Sequence, residues 1–451
     1  MLADQAVLSL VNLAILVMIN RVYARPGDTA DVGRLAAILS ITLAAVLLTA
    51  SGVARAVVLR LSRARAEGGE NMVRRIARTI GGGLVLGMVV SLGLLILGLT
   101  VPGLVLTAVR HWAPASAEHV AAYVGPLQLA ALWLPNYAML LIMVAVFDGF
   151  QRMRWSLLAE AGTFQLLRLT AAALAMLVAG WAWLGLIGAW AAAYAVGVSL
   201  VAVELVVFLR RERQPVAWRG LPLRSLTRDA ALMFLPTVAP LLTWQTGVLV
   251  AWAGGGAEAA AAFWVTWTVS IAAMEFCQPV GRVLFPAVPN LARHPDPKEL
   301  GRALRASFWG VAAVMLAAFA AIHLAKGWVL AYLHQEGQEG LLTILVAAGF
   351  FEVHRTVLNP VLLASGREKV LTILEWCALA TILAGGAAAM TAWALPGLAA
   401  VFLTVYVVSG AVRVYLVTKA TGVRLWLDAA VTGAIILGAT AVLLALELEV
   451  R

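Results

Sequence analysis

The side chains of this sequence able to do chemistry are few, and most are ionisable groups set inside long apolar runs. Glu352, His354 and Arg355, in the string FFEVHRTVLNP, make the densest group. An acid that takes up a proton in one conformation and releases it in another would couple an ion gradient to movement. The same three residues also fit a permanent intramembrane ion-pair network. Glu160 and Arg168 lie eight positions apart, about two turns on one helical face, where a shared neighbour would let them neutralise each other. Glu275 is a further acid in an apolar run, as are Glu204 and Glu375. Arg55 and Arg282 are forks of permanently charged donors that would suit a diphosphate if they faced a common cavity. Both equally fit guanidiniums that snorkel to headgroups. Lys326, late in its run, fits snorkelling best.

Other chemistry is excluded by what is missing. No GxxxxGK[ST] phosphate loop, HExxH, CxxC pair or GxSxG occurs, so a built-in ATPase and the familiar hydrolases are ruled out. Cys277 and Cys377 stand a hundred positions apart in apolar segments and read as packing residues, not as a disulfide or metal pair. No cofactor or metal site is expected.

The elements that carry these residues follow from composition. Of 451 residues 63% are hydrophobic and 12% charged, with a mean hydropathy of +0.93, whereas soluble domains are about 25% charged. Apolar runs of about 20 residues or more fit the bilayer core, and at roughly 30–35 residues per span and connection the chain holds about 13 spans. The apolar runs place them near 1–20, 34–59, 80–108, 119–147, 155–180, 183–209, 230–252, 258–286, 304–333, 340–364, 370–390, 395–418 and 427–446. This is an all-α polytopic membrane protein with no room for a large soluble catalytic domain. The first run is read as a retained span, since no basic n-region precedes it.

The net charge of +10 would suggest nucleic acid in a soluble protein, but topology accounts for it. With the N-terminus cytoplasmic, the even-numbered connections and their flanks carry Arg60, Arg63, Arg65, Arg74, Arg75, Arg78, Arg210, Arg211, Arg213 and many of the remaining cations, including Arg413, Lys419 and Arg424. The opposite side holds Arg21, Arg25, Arg34, Arg110 and Arg451. The positive-inside rule then sets the orientation.

The longest connection, Arg210 to Asp229, is basic and carries Pro215 and Pro222, marking a midpoint. An offset of 227 positions brings Arg55 onto Arg282, Arg75 onto Arg302 and Arg78 onto Arg305. The matched strings, VARAVVLRLSRARAEGGENMVRRIAR and VGRVLFPAVPNLARHPDPKELGRALR, fall at the same place in each half. A parallel duplication of six helices follows, an architecture that puts substrate sites between halves. The expected organisation is a lobe over 1–209, a cytoplasmic linker over 210–229, a second lobe over 230–420 and an extra span within 421–451. Trp112, Trp181, Trp183, Trp393 and Trp426 fall at span ends and read as an aromatic belt.

Several strings resemble the polysaccharide and oligosaccharide flippases of the multidrug/oligosaccharidyl-lipid/polysaccharide (MOP) exporter superfamily. DQAVLSLVNLAILVMINRVYARPGDTADVGRLAAILS, with Arg21 and Gly33, is similar to that family's first two helices. LLTWQTGVLVAWAGGGAEAAAAFWVTWTVS, VLFPAVPNLA around Pro286, and NPVLLASGREKVLTILEW around Gly366, Arg367 and Lys369 resemble later helix junctions. The resemblance covers about residues 1 to 420. It implies a MATE-like core of two six-helix lobes that moves an undecaprenyl-diphosphate-linked glycan outward by alternating access. The family's cavity-lining basic positions on helices 1, 2 and 8 carry over to Arg21, Arg55 and Arg282. The implied location is the bacterial inner membrane. The implied partners are the lipid-linked glycan, membrane lipids, and polysaccharide polymerase or glycosyltransferases, with no nucleic acid. The PNLLRR and EGA strings of the peptidoglycan-precursor branch are missing, which points away from that substrate. Competing readings are a cation-coupled drug exporter of the same fold, a membrane-embedded glycosyltransferase or ligase, and a polysaccharide-assembly scaffold.

Overall fold

The computed structural model describes residues 2–24, 29–68, 71–112, 117–177, 183–275, 277 and 297–450. Where no water can pair with the backbone, a helix satisfies its own N–H and C=O groups, and helix dominates the described residues. In chain order they are α1 (Leu2–Tyr23), α2 (Ala30–Glu67), α3 (Met72–Trp112), α4 (Ala117–Ala131), α5 (Leu134–Gly149), α6 (Met153–Leu157), a π-helix (Leu158–Gln165), α7 (Leu166–Leu177), α8 (Trp183–Arg211) and α9 (Leu223–Glu275). The second half adds α10 (Pro297–Tyr332), α11 (Glu339–Val353), α12 (Arg355–Ala364), α13 (Glu368–Thr421) and α14 (Trp426–Val450).

Two of these are too long to be single spans. α9 has 53 residues and α13 has 54, so each would reach roughly 80 Å at 1.5 Å per residue, against a hydrocarbon core of about 30 Å. Both fold back on themselves. α9 breaks at Gly256 (φ 74°, ψ −163°), a conformation open to glycine because it has no Cβ. Beyond the break, the Phe263 ring returns to lie against Gly247. α13 breaks at Trp393 and Ala394, just ahead of Pro396, and the returning arm sets Leu398 against Gly386 and Val401 against Gly385. Each is a hairpin of two spans, as the paired segments 230–252 with 258–286 and 370–390 with 395–418 require. The converse also occurs. α4 with α5 makes one interrupted span, α6 through the π-helix to α7 another, and α11 with α12 a third. The described helices therefore account for about 13 spans.

Backbone contacts group residues 38–245 into one compact unit and residues 1–37 with 246–451 into another. In the first, α3 packs on α4 and α5, α5 on α8, and α7 on α8. Val46, Ala50, Leu94, Ala131, Leu134 and Ala138 form one core cluster there. Within this unit the connection from α8 to α9 is pinned, not loose. Ala217 N–H donates to the Ala77 carbonyl at 3.1 Å, and Arg60 Nε pairs with Asp229 Oδ2 at 2.6 Å.

In the second unit α11 is the central element. It packs against α10, α13 and α14, and the apolar window spanning it and α12 is 83% buried, as a helix hydrophobic on all sides demands. Gly33 shows how tightly the start of α2 fits this unit: a Cβ there would run into the Ala257 carbonyl, next to the Gly256 break. α14 runs beside α10 and is tied at both ends. Asp428 accepts from Trp309 Nε1 at 2.9 Å and lies 3.6 Å from Arg305 Nε, while Glu447 pairs with Lys326. Lys326 is thus an ion-pair partner and not a snorkelling side chain.

Candidate functional site

The densest predicted cluster sits where the α11–α12 span is interrupted, at His354. Glu352 and Arg355 flank the interruption three residues apart and pair at 2.8 Å, with side chains 2% and 14% exposed. The pair is not alone. On the α13 hairpin, Glu375 of the first arm meets Arg413 of the second at 2.7 Å, with side chains 5% and 2% exposed. Asn359 on α12 donates to the same Glu375 oxygen at 3.4 Å, Arg413 Nη1 donates to Ser409 Oγ at 3.0 Å, and Arg355 and Glu375 interact electrostatically. Two carboxylates and two guanidiniums on α11, α12 and α13 thus form one buried group of zero net charge. Buried ions persist only when paired and hydrogen-bonded in this way.

His354 lies beside this group without joining it. Its ring is held between Phe308 and Phe350, with centroids 4.3 and 4.8 Å away. Nδ1 lies 2.7 Å from the Phe350 carbonyl, which can only accept, so Nδ1 carries the proton. Nε2 is buried and has no partner among the described residues.

A second polar site belongs to the first unit. Arg168 donates to Gln165 Oε1 at 2.9 Å and lies over the Trp190 ring at 5.2 Å. Nearby, Thr163 donates to Glu204 Oε1 at 2.6 Å. Phe164 and Tyr137 pack on Tyr194, at 4.4 and 5.5 Å between ring centroids, and Trp133 does so at 4.9 Å. Glu160 falls within the π-helix, and its side chain lies outside the described residues. The i→i+5 winding of that segment changes the face relation on which the eight-residue spacing to Arg168 relied. π turns of this kind gather at functional sites.

Arg21, exposed at the end of α1, stacks on the Tyr332 ring at 3.8 Å. Arg55 is exposed on α2, and Arg282 lies outside the described residues. Exposure of the first two fits a water-filled cavity and a headgroup layer alike. Glu275 is half-buried at the end of α9.

Two expectations need correction. Arg413, counted with the cytoplasmic flanking cations, is buried and neutralised by Glu375, because the fold-back of α13 sets its second arm against its first. Cys277 is buried as expected, but Cys377 is exposed. Among the described residues no cluster of three or more His, Cys, Asp or Glu could hold a metal.

The architecture is that of a polytopic helical membrane protein, and comparison with solved structures narrows the fold further. No family model and no curated protein matches the sequence. Solved structures do. An inward-facing multidrug resistance MATE family transporter of the MOP superfamily superposes with a TM-score of 0.69 at 15% identity, over 92% of this chain and 94% of that one. Its outward-facing form gives 0.66 at 16% identity, over 94% of each chain. A MOP superfamily transporter from Pyrococcus furiosus, described by the reverse polarity of its binding pocket and a suggested different function, gives 0.62 at 17% identity, over 98% of this chain and 94% of that one. The chain therefore has the MATE-like fold of MOP superfamily transporters.

Proposed function

We propose that this protein is a secondary transporter, not an enzyme, that moves an undecaprenyl-diphosphate-type lipid-linked oligosaccharide or polysaccharide precursor across the bacterial inner membrane by alternating access. In this reading the N-terminus is cytoplasmic, and Arg21, Arg55 and Arg282 meet the diphosphate. The observation that carries it is the charge balance of the α11–α13 group. Glu352 and Glu375 are each held by an arginine, and a guanidinium stays charged at any physiological pH. These acids are therefore not on offer to a cationic drug, while Arg21 and Arg55 place exposed positive charge where an anion could meet it. A precedent for a MOP fold with a different suggested function is the Pyrococcus furiosus transporter described by reverse polarity of its pocket.

The MATE multidrug transporters among the fold relatives favour a second reading, a cation-coupled multidrug exporter of the same fold. Purified full-length protein in liposomes separates the two. Outward movement of a fluorescent undecaprenyl-diphosphate oligosaccharide is expected, with and without a proton or sodium gradient, and little efflux of ethidium. Loss of the glycan signal in Arg55→Ala and Arg282→Ala, each with unchanged insertion, supports the assigned contacts. Ethidium efflux without glycan movement overturns the proposal.

A further inference from the structure

We infer that the cleft where α5 and α8 end is a binding site for the headgroup of an anionic phospholipid, separate from any transport path. The cleft has a volume of about 470 Å³ and is lined by Gln151, Arg152, Arg154, Trp155 and Glu212. Arg211 adds a third guanidinium, 5.6 Å over the Trp155 ring. Arg152 pairs with Glu212 at 2.9 Å, so one carboxylate stands against three guanidiniums and the cleft is cationic. Helix C-termini would normally set negative ends here. That of α5 is already answered by Arg65, which donates to the Phe150 carbonyl and leaves the lining arginines for a ligand.

The backbone marks the same place. Both helices end in left-handed residues that are not glycine, Gln151 at φ 57° and Arg213 at φ 53°. Glycine is the usual occupant of that position, and strain retained at a cleft is a mark of binding sites. A lipid, in preference to a soluble phosphate, follows from what adjoins the cleft. Leu158, three residues after Trp155, and Val203 and Val206 on α8 are 49%, 61% and 49% exposed, apolar surface for acyl chains on the two elements that flank the cleft, and the tryptophan ring suits the headgroup boundary.

The test is native mass spectrometry of the full chain released from nanodiscs of mixed phosphatidylglycerol and phosphatidylcholine. Retained phosphatidylglycerol is expected, falling roughly a hundredfold in Arg152→Gln/Arg154→Gln/Arg211→Gln, at about 1 kcal/mol or fivefold per cation. The control Arg219→Gln/Arg224→Gln/Arg228→Gln removes equal charge from the adjoining connection and should change retention less than twofold. An equal loss in the control reduces the effect to general charge attraction and overturns the site. Displacement by inorganic pyrophosphate at matched concentration overturns the lipid assignment. If the triple variant fails to insert, a photoactivatable phosphatidylglycerol on the unmodified protein decides instead. Labelling within 151–155 and 209–213 supports the site, and labelling elsewhere only overturns it.

Discussion

Replacing Glu375 with glutamine removes one charge from the α11–α13 group while keeping the side chain's shape. The carboxylate is 2.7 Å from Arg413 Nη2, and the Arg413 side chain is 2% exposed. After the change Arg413 keeps only the Ser409 hydroxyl at 3.0 Å and the amide oxygen of the new residue. Removing one partner of a buried pair costs about 3–5 kcal/mol, because the other charge is left without compensation. At roughly 2–4 °C per kcal/mol for a unit of this size, the midpoint of thermal unfolding in detergent should fall by about 6–20 °C. The reverse change, Arg413→Met, should cost less, since Glu375 retains Asn359 and the field of Arg355. Glu375→Met/Arg413→Met removes both charges and should recover most of the loss, because an apolar pair of similar volume is often neutral or stabilising. The assay is intrinsic fluorescence with temperature, checked by size-exclusion of heated samples. A Glu375→Gln midpoint within about 2 °C of the unmodified protein, or a double variant whose loss equals the sum of the singles, would refute the buried pair as drawn.

Gly33→Val should press a side chain into the Ala257 carbonyl and lower stability by at least about 1–3 kcal/mol, read as loss of monodisperse protein after extraction; an unchanged yield would contradict the close approach. Glu447→Gln should release the far end of α14 from Lys326 and raise limited proteolysis several-fold in the turn at 333–338, which lies beside Glu447 near Gly340, with Lys326→Gln/Glu447→Gln less affected than either single change. Thr163→Val should leave Glu204 without its 2.6 Å donor and lower the unfolding free energy by about 1–3 kcal/mol, and no shift would mean that the carboxylate is solvated.

The spans were legible because apolar length is a strong signal in a bilayer. Their breaks were too, through the Gly254–Gly256 run and Pro396 in turn-forming positions. The Glu352–Arg355 pair was legible as well, since i and i+3 share a helical face. Arg413 was not. In SGAVRVYLVTKA it stands six positions before Lys419 and near Arg424, so a count of flanking cations absorbed it, and its partner lies 38 positions upstream. Only the fold-back of α13 brings Glu375 to it. The π-helix at Leu158–Gln165 was equally hidden, because one extra residue per turn leaves no mark in apolar periodicity.

The permanence of these pairs bears on where an ion gradient could act. A carboxylate held by a guanidinium must break that pair to take a proton, at several kcal/mol per cycle, so Glu352 and Glu375 are poor carriers. Glu204 differs. One carboxylate oxygen accepts from the Thr163 hydroxyl, and the second is buried with no partner among the described residues. A hydroxyl can donate to a carboxylate or accept from a carboxylic acid, so both charge states of Glu204 are accommodated without dismantling a salt bridge. It also lies against the π-helix, the irregular element of its unit. If transport is proton-driven, Glu204→Gln is expected to keep gradient-free movement of the fluorescent lipid-linked oligosaccharide in liposomes and lose its stimulation by an imposed proton gradient. Full stimulation in Glu204→Gln, with loss of stimulation in Glu352→Gln, would return the coupling role to the arginine-paired cluster.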